Sequence, residues 1–172
     1  MAKLQLKKEY WKSIRFYLIE VIAVVLFIQF IAGLAIVNGL SMEDTLCNGD
    51  IVVVWKIGYV PHPGDVVLVG KDNPLGVPLT KRIIAVEGQI IQIDEDGVYI
   101  DGQPLNEPYL KDTEWSRWPL ELTVPDGQVF VMGDNRDESI DSRNVGCLEK
   151  SGIKGNIVFR LWTINTFGTI QT

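Results

Sequence analysis

Hydrophobic and polar positions divide the chain into two unlike parts. Over residues 16–37 the sequence is almost wholly apolar, with Glu20 the one formally charged side chain in the run. About 20 such residues are enough to cross the hydrocarbon core of a bilayer as a helix. A buried core helix of this length would need a larger domain to cover it. A cleavable secretory leader has a shorter apolar stretch before a small-residue cut site. The pattern therefore predicts a retained membrane-spanning helix over residues 16–37, preceded by a basic tail, residues 1–15.

Past residue 37 the period changes from helical to alternating. Residues 50–56 (DIVVVWK), 65–70 (DVVLVG) and 79–87 (LTKRIIAVE) are short runs rich in β-branched residues. Residues 89–94 and 97–101 predict a hairpin closed by the Asp-Glu-Asp-Gly turn at 94–97. Residues 128–133 and 156–162 supply two more strands, and the Pro-rich or polar stretches 61–63, 104–108 and 111–126 read as loops. No long stretch outside the apolar run has helical periodicity, and there is no internal repeat. The expected fold class is mainly β: one antiparallel β-sheet domain, residues 38–172, behind a single N-terminal transmembrane helix.

Charge sets the orientation. Residues 1–15 carry Lys3, Lys7, Lys8, Lys12 and Arg15 against Glu9, whereas residues 38–172 hold 11 Lys and Arg against 20 Asp and Glu. A basic flank stays in the cytoplasm, which puts the acidic β domain on the extracytoplasmic side of the cell membrane. The chain of 172 residues has a formal net charge of -6, so nucleic acid bound through a basic face is excluded as a partner. With the single histidine His62 and two cysteines there is no zinc site of the usual Cys/His kind, and few routes to a Ser-His-Asp triad. Cys47 and Cys147 fall on the oxidising side in this topology, where a disulfide and two independent thiols are both open.

Three segments carry the chemistry that remains: residues 39–46 (GLSMEDTL), 80–86 (TKRIIAV) and 133–143 (GDNRDESIDSR). A serine hydroxyl is a poor nucleophile until a base takes its proton. A lysine can be that base once burial lowers its pKa from about 10.4 toward neutrality. Lys81 sits in a strand rich in branched aliphatics. Period-two alternation predicts that it shares a face with Ile83 and Ala85 while Arg82 points the other way. Taken singly, Ser41 also reads as a turn hydroxyl, Lys81 as a solvent-facing strand lysine, and 133–143 as a solvated loop.

In order and spacing, the apolar run and these three segments resemble the bacterial type I signal peptidases. These are membrane-bound serine-lysine proteases that release secreted proteins from their signal peptides. The likeness extends to residues 159–162 (FRLW). It implies that Ser41 is the nucleophile, Lys81 the general base, and the Ser41 backbone N–H one oxyanion donor. Gly39 stands where many members have a serine that gives a second donor, so backbone or water must supply it here. Ser139 corresponds to the serine that orients the lysine. Asp141 and Arg143 correspond to an ion pair beneath the site, with Asp134 and Arg136 in further support. The implied substrates are secreted preproteins with small residues one and three positions before the cut, bound as an added strand. Val37, Met42, Leu46 and Leu79 would wall the shallow pockets.

The resemblance further implies a compact monomer in contact with membrane lipid, with no metal or other cofactor. Two departures stand out. Asp44 occupies a position where proline is usual, adding a charge near the dyad, and Thr163 follows Trp162 where proline is common. Two other classes fit parts of the pattern: a tethered β protein whose dyad has decayed, and a repressor-type self-cleaving serine-lysine protease. The second is cytosolic and carries a DNA-binding region, at odds with an apolar run and an acidic body.

Overall fold

A long helix, α1 (Ala2–Phe30), hands the chain directly to a β sheet in the computed structural model, which describes residues 2–43, 45–110, 115–162 and 168–170. Along the chain follow β1 (Ala32–Ile36), β2 (Ile51–Trp55), β3 (Val66–Val69), β4 (Leu79–Val86), β5 (Ile90–Ile93), β6 (Val98–Ile100) and β7 (Gln103–Pro104). Then come β8 (Leu120–Thr123), β9 (Gln128–Met132), the single-turn helix α2 (Ser142–Val145), β10 (Leu148–Glu149), β11 (Ile153–Trp162) and β12 (Gly168–Thr169). An eight-stranded sheet runs β1-β2-β11-β3-β4-β9-β10, with β12 added beside β11, and a four-stranded sheet runs β7-β6-β5-β8. The pairings between them are antiparallel, as the alternation predicts.

The structure shortens the expected membrane helix at its end. The helix stops at Phe30, and Ala32–Ile36, inside the predicted 16–37 span, pairs as an edge strand with Ile51–Trp55. Gly33 explains the break. It is a poor helix former, and the residues around it find Ile51–Trp55 to pair with instead. Among the described residues no helix is long and apolar enough to cross a membrane. Every large apolar side chain of α1 from Phe16 to Phe27 is nonetheless exposed, as are Leu34 and Ile36 on β1.

A second correction concerns residues 111–126, expected to be loop throughout. Leu120–Thr123 is β8, paired with Ile90–Ile93 and alternating half-buried Leu with exposed Glu and Thr positions. Residues 111–114 lie outside the described residues, as do Asp44 and Thr163.

Three apolar clusters hold these sheets. The small sheet buries Ile91, Ile93 and Val98 against Ile84, Ala85, Phe130 and Met132 of β4 and β9, with Trp115 and Val124 closing the edge. Val37, Met42 and Leu46 pack with Val52, Val54, Val66 and Ile157. Val67, Val69, Ile83, Val129, Val131 and Leu148 form the third. Strand β4 touches both the first and third because its pairing with β9 shifts between Ile83 and Ala85. That bulge puts Ile84 and Ala85 in one cluster and Ile83 in another, so Ala85 does not share the Lys81–Ile83 face as simple alternation predicts.

Candidate active site

Strand β4 turns two adjacent cations to opposite sides of the sheet. Lys81 stands opposite Val67, while Arg82 stands between Val66 and Met132. Both are buried, Lys81 at 3% exposure and Arg82 at 0%. Arg82 is fully paired: Nε and Nη2 donate to Asp134 at 2.9 and 2.8 Å, Nη1 donates to the Gly64 carbonyl at 2.7 Å, and the guanidinium lies 3.8 Å from the centre of the Tyr109 ring. Lys81 is treated differently. Its Nζ donates 3.0 Å to Ser139 Oγ, a neutral group. Burial pulls the Lys81 pKa down to about 8; Asp141 and Asp134 oppose that shift and Arg143 adds to it.

Ser139 is held in turn by a buried carboxylate. Its Oγ donates to Asp141 Oδ2 at 2.7 Å, so the oxygen presents lone pairs, not its proton, to Lys81. Asp141 Oδ2 also accepts the Gly133 N–H at 2.9 Å, and Arg143 grips Asp141 through Nε at 2.8 Å and Nη2 at 2.8 Å. Burial would raise the Asp141 pKa, but the bonds from Arg143, Ser139 and Gly133 together hold it below the ordinary carboxylate value. Asp141 also caps α2 by accepting the Arg143 N–H, and the Asn144 side chain answers the Asp141 N–H. The short helix therefore fixes the carboxylate that fixes Ser139.

Ser41 sits on a turn after β1, against the same segment. Its carbonyl accepts the Asn135 N–H at 3.1 Å. Gly133 is wedged between the two serines: a Cβ there would collide with both Ser139 Oγ and the Ser41 carbonyl oxygen. Glycine is required at 133 by this close approach. The Ser41 turn is closed by the N–H groups of Thr45 and Leu46, which donate to the Met42 carbonyl at 3.0 and 2.7 Å. Thr45 Oγ1 donates to Asp134 Oδ2 at 2.5 Å. A cavity of about 490 Å³ lined by Arg136, Ser139, Arg143, Asn144 and Trp118 opens beside this arrangement.

The family described as "Signal peptidase, peptidase S26" matches residues 10–162. The chain belongs to that family. A probable signal peptidase I-1 of Synechocystis is 40% identical over 76% of this chain and 71% of its own length. The signal peptidase I of Bacillus licheniformis is 33% identical over 92% of each. Among solved structures, a signal peptidase I from Enterococcus faecalis aligns with a TM-score of 0.50 at 28% identity, covering 58% of this chain and 97% of that one.

Within this signal peptidase scaffold the residues singled out from the sequence fall into three groups. Lys81, Ser139, Asp141 and Arg143 form one hydrogen-bonded chain, with Ser41 alongside across Gly133. Gly39 has φ at 100°, where an L side chain is strained although nothing lies within 4 Å, so a serine in this conformation would be costly. Asp134 and Arg136 do not pair with each other: Asp134 binds Arg82, and Arg136 forms a forked pair with Glu107. Val37, Met42 and Leu46, expected to wall substrate pockets, are 0–3% exposed in the core, and Leu79 is half-buried beside another cluster. His62 lies at the surface with its side chain 71% exposed. Cys47 and Cys147 are free thiols.

Sequence reading missed Arg82, Glu107, Tyr109 and Thr45 as parts of the site. One signal for Arg82 was available. A charged residue in the middle of an eight-residue aliphatic strand needs a partner if that strand is central. Glu107 and Tyr109 had no such signal, because they come from a loop after β7, and only the packing of the small sheet brings them to Arg136 and Arg82.

Proposed function

We propose that the chain is a type I signal peptidase tethered to the cell membrane, cutting signal peptides from secreted preproteins with Ser41 as nucleophile and Lys81 as general base. The observation that carries this reading is the buried relay Arg143–Asp141–Ser139–Lys81 beside the Ser41 turn. Ser139 has committed its proton to Asp141, so Lys81 must donate to it. The lone pair of a neutral Nζ is then left for the Ser41 hydroxyl. With its pKa drawn down to about 8, Lys81 is neutral often enough near physiological pH to act.

The steps follow from these roles. Ser41 Oγ attacks the scissile carbonyl as Lys81 takes its proton, and the Ser41 N–H stabilises the oxyanion. Lys81-NH3+ then protonates the departing amine, leaving an acyl-enzyme. Water deprotonated by the now neutral Lys81 attacks that ester and frees Ser41. Strain at Gly39 favours glycine over a serine donor, so a backbone group or water completes the oxyanion hole. Val37, Met42 and Leu46 pack the turn onto the core, and the preference for small residues one and three positions before the cut follows from the family resemblance.

The exposed apolar surface of α1, continued by Leu34 and Ile36 on β1, supports a membrane tether. The excess of basic residues before residue 16 supports a cytoplasmic N-terminus and an extracytoplasmic catalytic domain, residues 38–172. The test is cleavage of a preprotein in mild detergent. Ser41→Ala abolishes it, while His62→Ala leaves it near wild type. Cleavage by Ser41→Ala, or its loss in His62→Ala with an intact fold, sinks the dyad.

A further inference from the structure

The hydroxyl of Thr45 joins the turn bearing Ser41 to the buried Arg82–Asp134 pair. We propose that Thr45 is a positioning residue that sets the Ser41 hydroxyl against Lys81, an inference that rests on the dyad reading above. Thr45 Oγ1 donates to Asp134 Oδ2 at 2.5 Å and accepts from Arg82 Nη2 at 3.4 Å. Arg82 is the chain neighbour of Lys81, and Asp134 the neighbour of Gly133. Thr45 thereby links the nucleophile's turn to the strand carrying the base and to the segment carrying Ser139.

The attachments sit at both ends of the turn. At the Ser41 end, the carbonyl accepts from the Asn135 N–H. At the Thr45 end, the side chain binds Asp134 and the carbonyl accepts from Arg160 Nη1 at 2.9 Å. Arg160 in turn faces Asp50 at 3.6 Å, whose Oδ2 accepts the Cys47 N–H at 2.9 Å. Two consecutive residues, Asp134 and Asn135, thus clamp the turn from one side. Thr45 donates one proton and accepts another, a combination that serine shares and valine lacks. Without it, the Ser41 turn keeps its backbone bonds but loses its side-chain link to the Arg82–Asp134 pair.

The experiment compares wild type, Thr45→Val, Thr45→Ser and Ser41→Ala on a fluorogenic signal-peptide substrate, using the full chain in detergent. A misplacement of about 1 Å costs on the order of a hundredfold, so Thr45→Val is expected to lower kcat by about ten- to a hundredfold with KM little changed. Thr45→Ser restores most of the rate. The acid limb of kcat/KM stays where it is in wild type, because Lys81 stays buried and its charged neighbours keep their ion pairs, Asp134 with Arg82 and Asp141 with Arg143. That is a readout a general loosening of the fold would move. Should Thr45→Val fail to fold, Thr45→Cys, with a weakly donating thiol of similar volume, is expected to give a smaller drop of the same kind.

A folded Thr45→Val with wild-type kcat overturns the proposal. So does an equal loss in Thr45→Ser, a rise in KM alone, or a displaced acid limb. Ser41→Ala separates the two readings. If it is inactive while Thr45→Val is normal, only the role of Thr45 falls. If Ser41→Ala still cleaves, the dyad falls and the Thr45 proposal with it.

Discussion

The four-stranded sheet and the β3–β4–β9 end of the larger sheet are built on opposite principles. The small sheet follows the ordinary rule. Ile91, Ile93 and Val98 face the core, while Gln92 and Glu121 meet on the open side at 3.1 Å. The β3–β4–β9 end, with the segment that follows β9, buries Lys81, Arg82, Asp134, Arg136, Ser139, Asp141 and Ser142. Such burial is costly unless each group is matched. The arginines are matched with carboxylates: Arg82 with Asp134, Arg136 with Glu107, Arg143 with Asp141. Lys81 instead bonds to a neutral hydroxyl. The arginines of this region are held by pairing, and the group left incompletely compensated is the one proposed as the base.

This contrast is sharpest under substitution of Lys81. Lys81→Met should lower preprotein cleavage by about a thousandfold or more, since removing one member of a catalytic unit removes most of its rate. Its thermal stability at pH 7 should match or exceed wild type, because a desolvated ammonium is gone. A large loss of stability would mean that Lys81 is a structural cation like Arg82.

The small sheet should answer in the opposite way. Ile91→Ala leaves a cavity against Phe130 and Met132 and should cost about 2–4 kcal/mol, read from denaturant midpoints. Cleavage per folded molecule should stay within about threefold of wild type, since Ile91 packs in a different cluster from Ile83 and shares no hydrogen bond with the Lys81–Ser139–Asp141 chain. A collapse of kcat in the folded fraction would show that the small sheet holds the dyad directly.

Proton linkage gives the smallest effect. In the proposed mechanism the neutral form of Lys81 is the active one, so kcat/KM should rise with pH along a limb near 8, falling about tenfold per unit below it. The folded pKa lies below the model-peptide value of 10.5, so between about 8 and 10.5 the unfolded chain binds more protons. The Lys81 contribution to stability therefore grows as pH rises through that window and is lost as pH falls through about 8. Lys81→Met should flatten this part of the stability profile. A limb near 10.5 would mark a solvated lysine.

The sequence by itself determined most of the strands and pointed to the residues of the proposed site. Residues 50–56, 65–70 and 79–87 contain β2, β3 and β4, and the hairpin at 89–101 contains β5 and β6. Ser41, Lys81, Ser139, Asp141 and Arg143 stood out through the resemblance of their three segments to the type I signal peptidases, and the structure joins the last four in one hydrogen-bonded chain. A strand is written in neighbours along the chain, and side-chain period reports it directly.

Tertiary structure decided what depends on partners far away in sequence. An apolar run does not say where a helix ends. Phe30 closes α1 because the next residues find Ile51–Trp55 to pair with, so β1 lies inside what reads as membrane span. Alternation does not announce a bulge, and the shift between Ile83 and Ala85 sends Ala85 into the other cluster. Nor do charges name their partners. Asp134 took Arg82 and Arg136 took Glu107 across 52 and 29 residues, because a buried ion is stabilised only by whatever opposite charge the packing delivers to it.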